Sequence, residues 1–522
     1  MAVLAALLTV AASVPAAAGD GGRKGGDGRL VVSTVDGLLR GTRADGIESF
    51  LGIPYAAPPV GDLRWRPPQA VAPWSGIRDA TAYGNRCAQL ASTNGAQSLT
   101  EDCLFLNVQR PAGASPRSRL PVFVFFHGGG YVNGSSDQHD GTALARQGRI
   151  ITVTVNYRPG VFGALAHPAL TAEGHGDSGN YGFLDQQASL RWVQHRIADF
   201  GGDRTRVTIG GHSSSAQQIC SHLSAPGSRG LFGAAIIESG PGCFAQPLAE
   251  AEQAGSAIAA SVGCPDGGDV PACLRSRPTE ALVDKTDGVP FVAVGTPTMP
   301  TDPRQNLIAG NLARVPVLIG SNRDEARIFF AEPKISTEAD YLASMVGLWG
   351  DGANEVIGHY PWQPAPADNG YTGNYLVSAT LTDSFFACGN RPTVAALAAH
   401  TSTFVYEFAH RDGPGLGDRY PGFVLGAGHA AELPNLWPSF DNGIPIAATF
   451  APAERRLARS MVSYWSAFVA KGRPSVPGLP RWTSFNDKPL LMSLNTGKGL
   501  GLITEQRFAQ THQCGFWDAF NQ

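Results

Sequence analysis

Short apolar runs recur along this chain, and three of them break off abruptly into small and polar clusters. Val122-Phe-Val-Phe-Phe126 stops at His127-Gly128-Gly129-Gly130-Tyr131, Val207-Thr-Ile209 passes through Gly210 and Gly211 to His212-Ser213-Ser214-Ser215-Ala216, and Val315-Pro-Val-Leu-Ile319 passes through Gly320 to Asn322-Arg-Asp324-Glu325. Runs of this length, rich in β-branched and aromatic residues, predict buried strands. Ala234-Ala-Ile-Ile-Glu-Ser239 reads as a further strand, and Leu190-Arg-Trp-Val-Gln-His195 has the spacing of a helix. A helix-like segment also follows Ser213, so this serine falls where a strand turns into a helix.

Such a turn needs small neighbours, and it holds a serine Oγ above the sheet while the helix start aims N–H groups at a developing anion. The usual pentapeptide is G-x-S-x-G, whereas Gly211-His-Ser-Ser-Ser215 carries serine at the last position. That serine must either open the turn slightly or bond through its hydroxyl to the helix backbone. The glycine triplet after the first run has the shape of an oxyanion hole, because glycines let the backbone approach a carbonyl closely. Gly129, Gly130 and Ser214 are the expected N–H donors. Downstream, Gly426-Ala-Gly428-His429-Ala-Ala-Glu432-Leu433 isolates a histidine in a glycine-rich loop. The order along the chain is therefore serine, acid, histidine, which is that of α/β-hydrolases.

Further blocks make the resemblance specific. Phe50-Leu-Gly-Ile-Pro-Tyr-Ala-Ala-Pro-Pro-Val-Gly-Asp-Leu-Arg-Trp-Arg-Pro-Pro68, Glu101-Asp-Cys-Leu-Phe-Leu-Asn-Val108, Asn156-Tyr-Arg158, Gly182-Phe-Leu-Asp-Gln-Gln187 and Phe200-Gly-Gly-Asp203 follow in one order. Together they resemble the type-B carboxylesterases, the branch of the α/β-hydrolases that includes cholinesterases and several secreted lipases. The resemblance implies an α/β fold with a mostly parallel central sheet flanked by helices and long loop insertions, occupying residues 29–522 as one domain. It implies a Ser213–Glu325–His429 triad, with Glu325 preferred over Asp324 because Gly320-Ser-Asn-Arg-Asp-Glu325 resembles the family's G-x-N-x-D-E. His429 would move the proton, and Glu325 would orient it. His212 stands where cholinesterases and many relatives carry glutamate, and is expected to act electrostatically or by hydrogen bonding beside the site. Ser239 is either a partner within that network or a strand-end core serine. Of the 12 histidines, His127 is expected to shape the glycine turn, and His195 to be a surface or packing residue.

Composition narrows the class. With 522 residues and 43% hydrophobic content the chain can bury a large core, and a net charge of −3 offers no basic field for nucleic acid. Apart from the first residues, no apolar run is long enough to span a bilayer. Met1 to Ala18 resembles a secretory signal peptide ending in Ala16-Ala-Ala18, although no Lys or Arg precedes the apolar run, so either the start is placed late or the signal is atypical. Residues 19–28 read as a disordered leader. Eight cysteines fit an oxidising, extracellular destination. The family resemblance implies pairs Cys87–Cys103, Cys264–Cys273 and Cys388–Cys514. Cys220 and Cys243 either bridge neighbouring elements or remain as two buried thiols.

No zinc spacing, dinucleotide fingerprint or phosphate loop is found, so no cofactor or metal is expected; the partner implied is a small-molecule ester. The resemblance leaves three readings open. A secreted esterase for short to medium acyl esters fits the Cys87–Cys103 loop, which is short, mostly small and polar, and has no tryptophan for a quaternary ammonium. A lipase for long-chain esters needs a longer apolar lid there. A non-catalytic binding protein of the same fold typically lacks the nucleophile, which is present here. Insertions near residues 331–374 are expected to wall the pocket, with Phe329, Phe330 and Trp349 either lining it or packing in the core.

Overall fold

The computed structural model describes residues 30–286, 288–289, 292–414, 420–440, 446–497 and 499–520. The signal-like segment and its leader lie outside them. Among the described residues, eleven strands make one sheet. In chain order they are β1 Thr42–Ala44, β2 Ile47–Pro54, β3 Phe105–Pro111, β4 Leu120–Phe126, β5 Ile151–Val155, β6 Gly202–His212, β7 Ala234–Glu238, β8 Val317–Asn322, β9 Thr403–Phe408, β10 Leu490–Leu494 and β11 Gly501–Thr504. Their order across the sheet is β11-β10-β9-β8-β7-β6-β4-β5-β3-β2-β1. All pairings from β5 through β4 to β10 are parallel, and the two margins are antiparallel.

The apolar runs behave as two-sided strands because side chains alternate across the sheet. On β4, Val122, Val124 and Phe126 enter a core with Ile209, Leu190, Val193 and Ile219, while Phe123 and Phe125 enter another with Leu318, Tyr406, Met461 and Trp465. The first core lies under the helices Tyr181–Arg196 and Ser214–Ser224; the second lies under the 20-residue helix Pro452–Lys471. Burial on both faces is what a parallel sheet requires, and it explains why the runs lack polar alternation.

The other sequence blocks hold this frame together in pairs. Arg158 grips Asp185 through Nε at 2.7 Å and Nη2 at 2.7 Å, and both are almost wholly buried. Arg64 grips Glu101, with Nε 2.8 Å from Oε2. A buried pair of this kind costs several kcal/mol to break on one side, since a charge is then left alone in a poorly polarisable interior. Cys87–Cys103, Cys264–Cys273, Cys388–Cys514 and Cys220–Cys243 lie at bonding distance, and no described cysteine is free. The last pair ties the helix after Ser213 to the loop after β7, with Cα atoms 5.6 Å apart.

Candidate active site

The sheet order sets where a site can form. From β4 the chain goes to β5 on one side and then to β6 on the other, so the carboxyl ends of β4 and β6 flank a point where the winding reverses. Crevices for ligands open at such points. Register makes the meeting specific: Phe126 pairs with Gly211, and His212 pairs with Glu238. The glycine triplet after β4 and Ser213 after β6 therefore emerge side by side. A Cβ on Gly128 would fall 2.8 Å from the His212 carbonyl oxygen and 3.0 Å from the Ser213 Cβ, so only glycine lets the two loops come this close.

Ser213 adopts φ 59°, ψ −123°, a strained conformation for a side chain with a Cβ. Its backbone N–H is held by the Glu238 carbonyl at 2.9 Å, and the helix Ser214–Ser224 starts at the next residue. Gly129 and Gly130 take φ values of 121° and 62°, which suit a turn that exposes N–H groups. Among the described residues the backbone N–H groups of Gly129, Gly130 and Ser214 make no hydrogen bond.

Ser215, the departure from the usual pentapeptide, does not bond through its hydroxyl to its own helix. Its hydroxyl reaches across to the His127 carbonyl at 2.5 Å and to the Tyr157 hydroxyl at 2.7 Å, and Tyr157 also donates to the His127 carbonyl at 2.6 Å. Neighbouring strands bring that carbonyl close, an arrangement that local sequence does not disclose. His127 itself folds back, Nδ1 to the Gly128 carbonyl at 2.8 Å, and burial pushes it down to about 4, so a neutral ring braces the turn.

The acid and histidine loops close on each other. Glu325 follows β8, and its Oε2 accepts from His429 Nδ1 at 2.6 Å while its carbonyl accepts the His429 backbone N–H at 3.0 Å. With Nδ1–H so engaged, Nε2 is the basic nitrogen. It is buried and has no hydrogen-bond partner among the described residues. Asp324 has a different task. It accepts from Arg411 Nε at 2.8 Å and from the Ala427 N–H at 3.0 Å, and lies 3.2 Å from Arg327, so it clamps the loop that leads to His429. Burial opposes its charge, but these donors hold its carboxyl below the ordinary value.

His212 is buried with its ring 4.6 Å from that of His429, and Ser239 Oγ donates to Glu432 at 3.1 Å. His195 is exposed on its helix. Of the expected pocket aromatics, Phe329 lies at the site, 5.2 Å from the His429 ring and 42% exposed. Phe330 and Trp349 do not. They pack in a separate core with Tyr341 and Trp517, where the C-terminal helix covers them. Sequence reasoning missed Phe386, 5.5 Å from His429, and the rings continuing outward from it, Phe385 and then Phe244. These come from segments far apart in the chain. It also left Glu432 and Asn322 without roles, although a glutamate amid apolar residues three positions after His429 was a visible signal.

A two-sided, mostly parallel sheet with a strained serine turn beside a glycine loop and a paired acid and histidine is the architecture of an α/β-hydrolase. Residues 28–517 match the model of the carboxylesterase family. The chain is 32% identical to cocaine esterase of Homo sapiens over 92% of its length and 88% of that protein. It is 34% identical to fumonisin B1 esterase of Sphingopyxis macrogoltabida, covering 91% and 89%, and 33% identical to acylcarnitine hydrolase of Mus musculus, covering 89% and 86%. The chain belongs to the carboxylesterase family and is a carboxylic ester hydrolase acting on small-molecule esters.

Proposed function

We propose that this enzyme is a secreted esterase for short to medium acyl esters, working through Ser213, His429 and Glu325 with an acyl-enzyme intermediate. The observation that carries the reading is the His429–Glu325 pair, with its unpartnered Nε2 and its ring 4.6 Å from that of His212, the residue before the strained Ser213. His429 Nε2 takes the Ser213 proton as Oγ attacks the ester carbonyl. The resulting oxyanion is met by the free N–H groups of Gly129, Gly130 and Ser214, and each such donor contributes about 3 to 4 kcal/mol in the transition state. His429 then returns the proton to the departing alkoxide, leaving the acyl group on Ser213. Water, deprotonated by His429, releases the acid by the reverse steps.

Two features support the shorter esters. The Cys87–Cys103 loop is polar and pinned to the glycine loop, Gln89 exchanging hydrogen bonds with Gly134 at 3.0 and 2.9 Å and Asn94 donating to Asn133 at 2.6 Å, so it offers no apolar lid. The rings of Phe329 and Phe386 crowd His429. Secretion is supported by the four cysteine pairs and the signal-like Met1 to Ala18. A fluorophosphonate probe is expected to label the wild type at Ser213 and not Ser213→Ala; activity surviving in that variant would overturn the assignment. Rates over p-nitrophenyl esters of increasing acyl length are expected to peak at short chains. A peak at long chains with activation at an oil interface would favour a lipase.

A further inference from the structure

The helix Thr372–Leu381 continues into a π-helical turn, Thr382–Ala387, a form that is rare and recurs at functional sites. This turn carries two rings of the aromatic wall. Phe386 stands 5.5 Å from the His429 ring, and Phe385, 41% exposed, stacks on Phe244 at 5.4 Å. The turn also touches the acid's loop, since the Thr382 hydroxyl accepts the N–H of Ala326, the residue after Glu325, at 2.9 Å.

What holds the turn from behind comes from the far end of the chain. Asp383 is buried within it; its Oδ1 accepts from His512 Nδ1 at 2.5 Å and its Oδ2 from the Tyr360 hydroxyl at 2.8 Å. His512, also buried, donates through Nε2 to Glu407 Oε1 at 3.0 Å, and Trp517 Nε1 donates to the Tyr360 hydroxyl at 2.8 Å. The core that takes in Phe330, Trp349 and Trp517 therefore sits behind the wall and reaches it through Tyr360 and Asp383.

We propose that His512 is a positioning residue for acyl selectivity: it holds the π-helical turn through Asp383, so that Phe386 stays against His429 and the acyl pocket stays short. The proposal rests on the reading of His429 as the reacting histidine of an esterase for short to medium acyl groups.

The physical case lies in which of the two anchors can move. A carboxylate only accepts hydrogen bonds, so a ring with one at each nitrogen carries both protons. Burial opposes that charge, but the bonds to Asp383 and Glu407 prevail and raise His512 to about 9. Glu407 is fixed, because it lies in β9, which pairs with β8 on one side and β10 on the other. Asp383 lies in a single turn closed by the bond from the Cys388 N–H to its carbonyl at 2.8 Å. If the cation is lost, two buried carboxyl groups are left without their counter-charge, and the turn yields before the strand does. Phe386 is three residues further along the same turn and moves with it.

The test is the ratio of kcat/KM for p-nitrophenyl octanoate to that for the butyrate, measured for the wild type, His512→Gln, Phe386→Ala and the double variant, with Tm and fluorophosphonate labelling of each. Glutamine keeps a donor but not the charge. His512→Gln is expected to raise the ratio about threefold, a smaller opening than loss of the Phe386 ring gives. Added to Phe386→Ala it should raise the ratio no further, because the group it positions is already gone. A fall in Tm with an unmoved ratio assigns His512 to structure alone and overturns the proposal. An equal rise in both backgrounds does the same, since His512 would not then act through Phe386. An unmoved ratio in Phe386→Ala removes the wall and the proposal with it. If His512→Gln does not fold, Tyr360→Phe, which takes the other donor from Asp383, is judged by the same outcomes. Failure of the wild type to label at Ser213 would instead overturn the triad.

Discussion

Replacing Ser215 by alanine and Tyr157 by phenylalanine, singly and together, tests how the glycine loop is anchored. The His127 carbonyl, one residue before the triplet, accepts from Ser215 at 2.5 Å and Tyr157 at 2.6 Å, in a place where all three residues are buried. Alanine keeps the Cβ, and phenylalanine keeps the ring that stacks on His127 at 4.5 Å, so packing survives both changes. Each single variant removes one hydrogen bond but leaves the carbonyl a donor, a net loss of about 1 kcal/mol. The double variant leaves a buried carbonyl with no donor among the described residues, and that desolvated acceptor costs about 2 kcal/mol more. The expected total is therefore about 4 kcal/mol, against about 2 kcal/mol for independent effects. Urea unfolding of the four proteins with disulfides intact measures this, provided the slope m is unchanged. In parallel, kcat should fall little in the singles and about tenfold or more in the double variant if, as proposed, the N–H groups of Gly129 and Gly130 meet the oxyanion, because the freed carbonyl lets them drift from it. Stability effects that add within about 0.5 kcal/mol would refute the shared anchor.

Three further outcomes follow from buried charge and from the aromatic wall. His512 lies between Asp383, 2.5 Å from Nδ1, and Glu407, 3.0 Å from Nε2; burial opposes its proton, but the two carboxylates prevail and raise it to about 9. Its stabilisation is full below the unfolded value of about 6.5 and is lost as pH rises through 9, so His512→Gln should lower Tm most near pH 6 and least near pH 10. Glu238 is raised to about 8 from 4.5, so the folded state keeps a proton that the unfolded chain has released, and stability falls as pH climbs between those values. Glu238→Gln should raise Tm at pH 8 but not at pH 4; an equal effect at both would contradict a protonated Glu238. Phe386→Ala should open the wall beside His429 and raise the ratio of octanoate to butyrate hydrolysis by about tenfold, and an unchanged ratio would remove Phe386 from the pocket.

Much of the frame was legible because it is written locally. Apolar runs of strand length mark β4, β6 and β8, and their endings in glycine, serine and acid mark the loops that carry the chemistry. Asp324 and Glu325 show the limit. Both are acids at the end of one strand, and the resemblance preferred the second; the structure shows the first committed to Arg411, Arg327 and the Ala427 N–H. Phe330 and Trp349 could not be told from pocket residues, because an aromatic near an insertion is equally suited to a core until the C-terminal helix is placed against it.

By itself the sequence determined which segments become buried strands, where each must turn, and which residues with reactive side chains stand at the turns, since these follow from periodicity and from glycine's freedom over a few neighbouring positions. Tertiary structure alone decided the partnerships: Ser215 with the His127 carbonyl, Cys220 with Cys243, His212 with Glu432, and Phe386 against His429. Those contacts join residues from 23 to 220 positions apart in the chain. They depend on strand order and register, which bring distant ends to one edge of the sheet, and no local pattern encodes that distance.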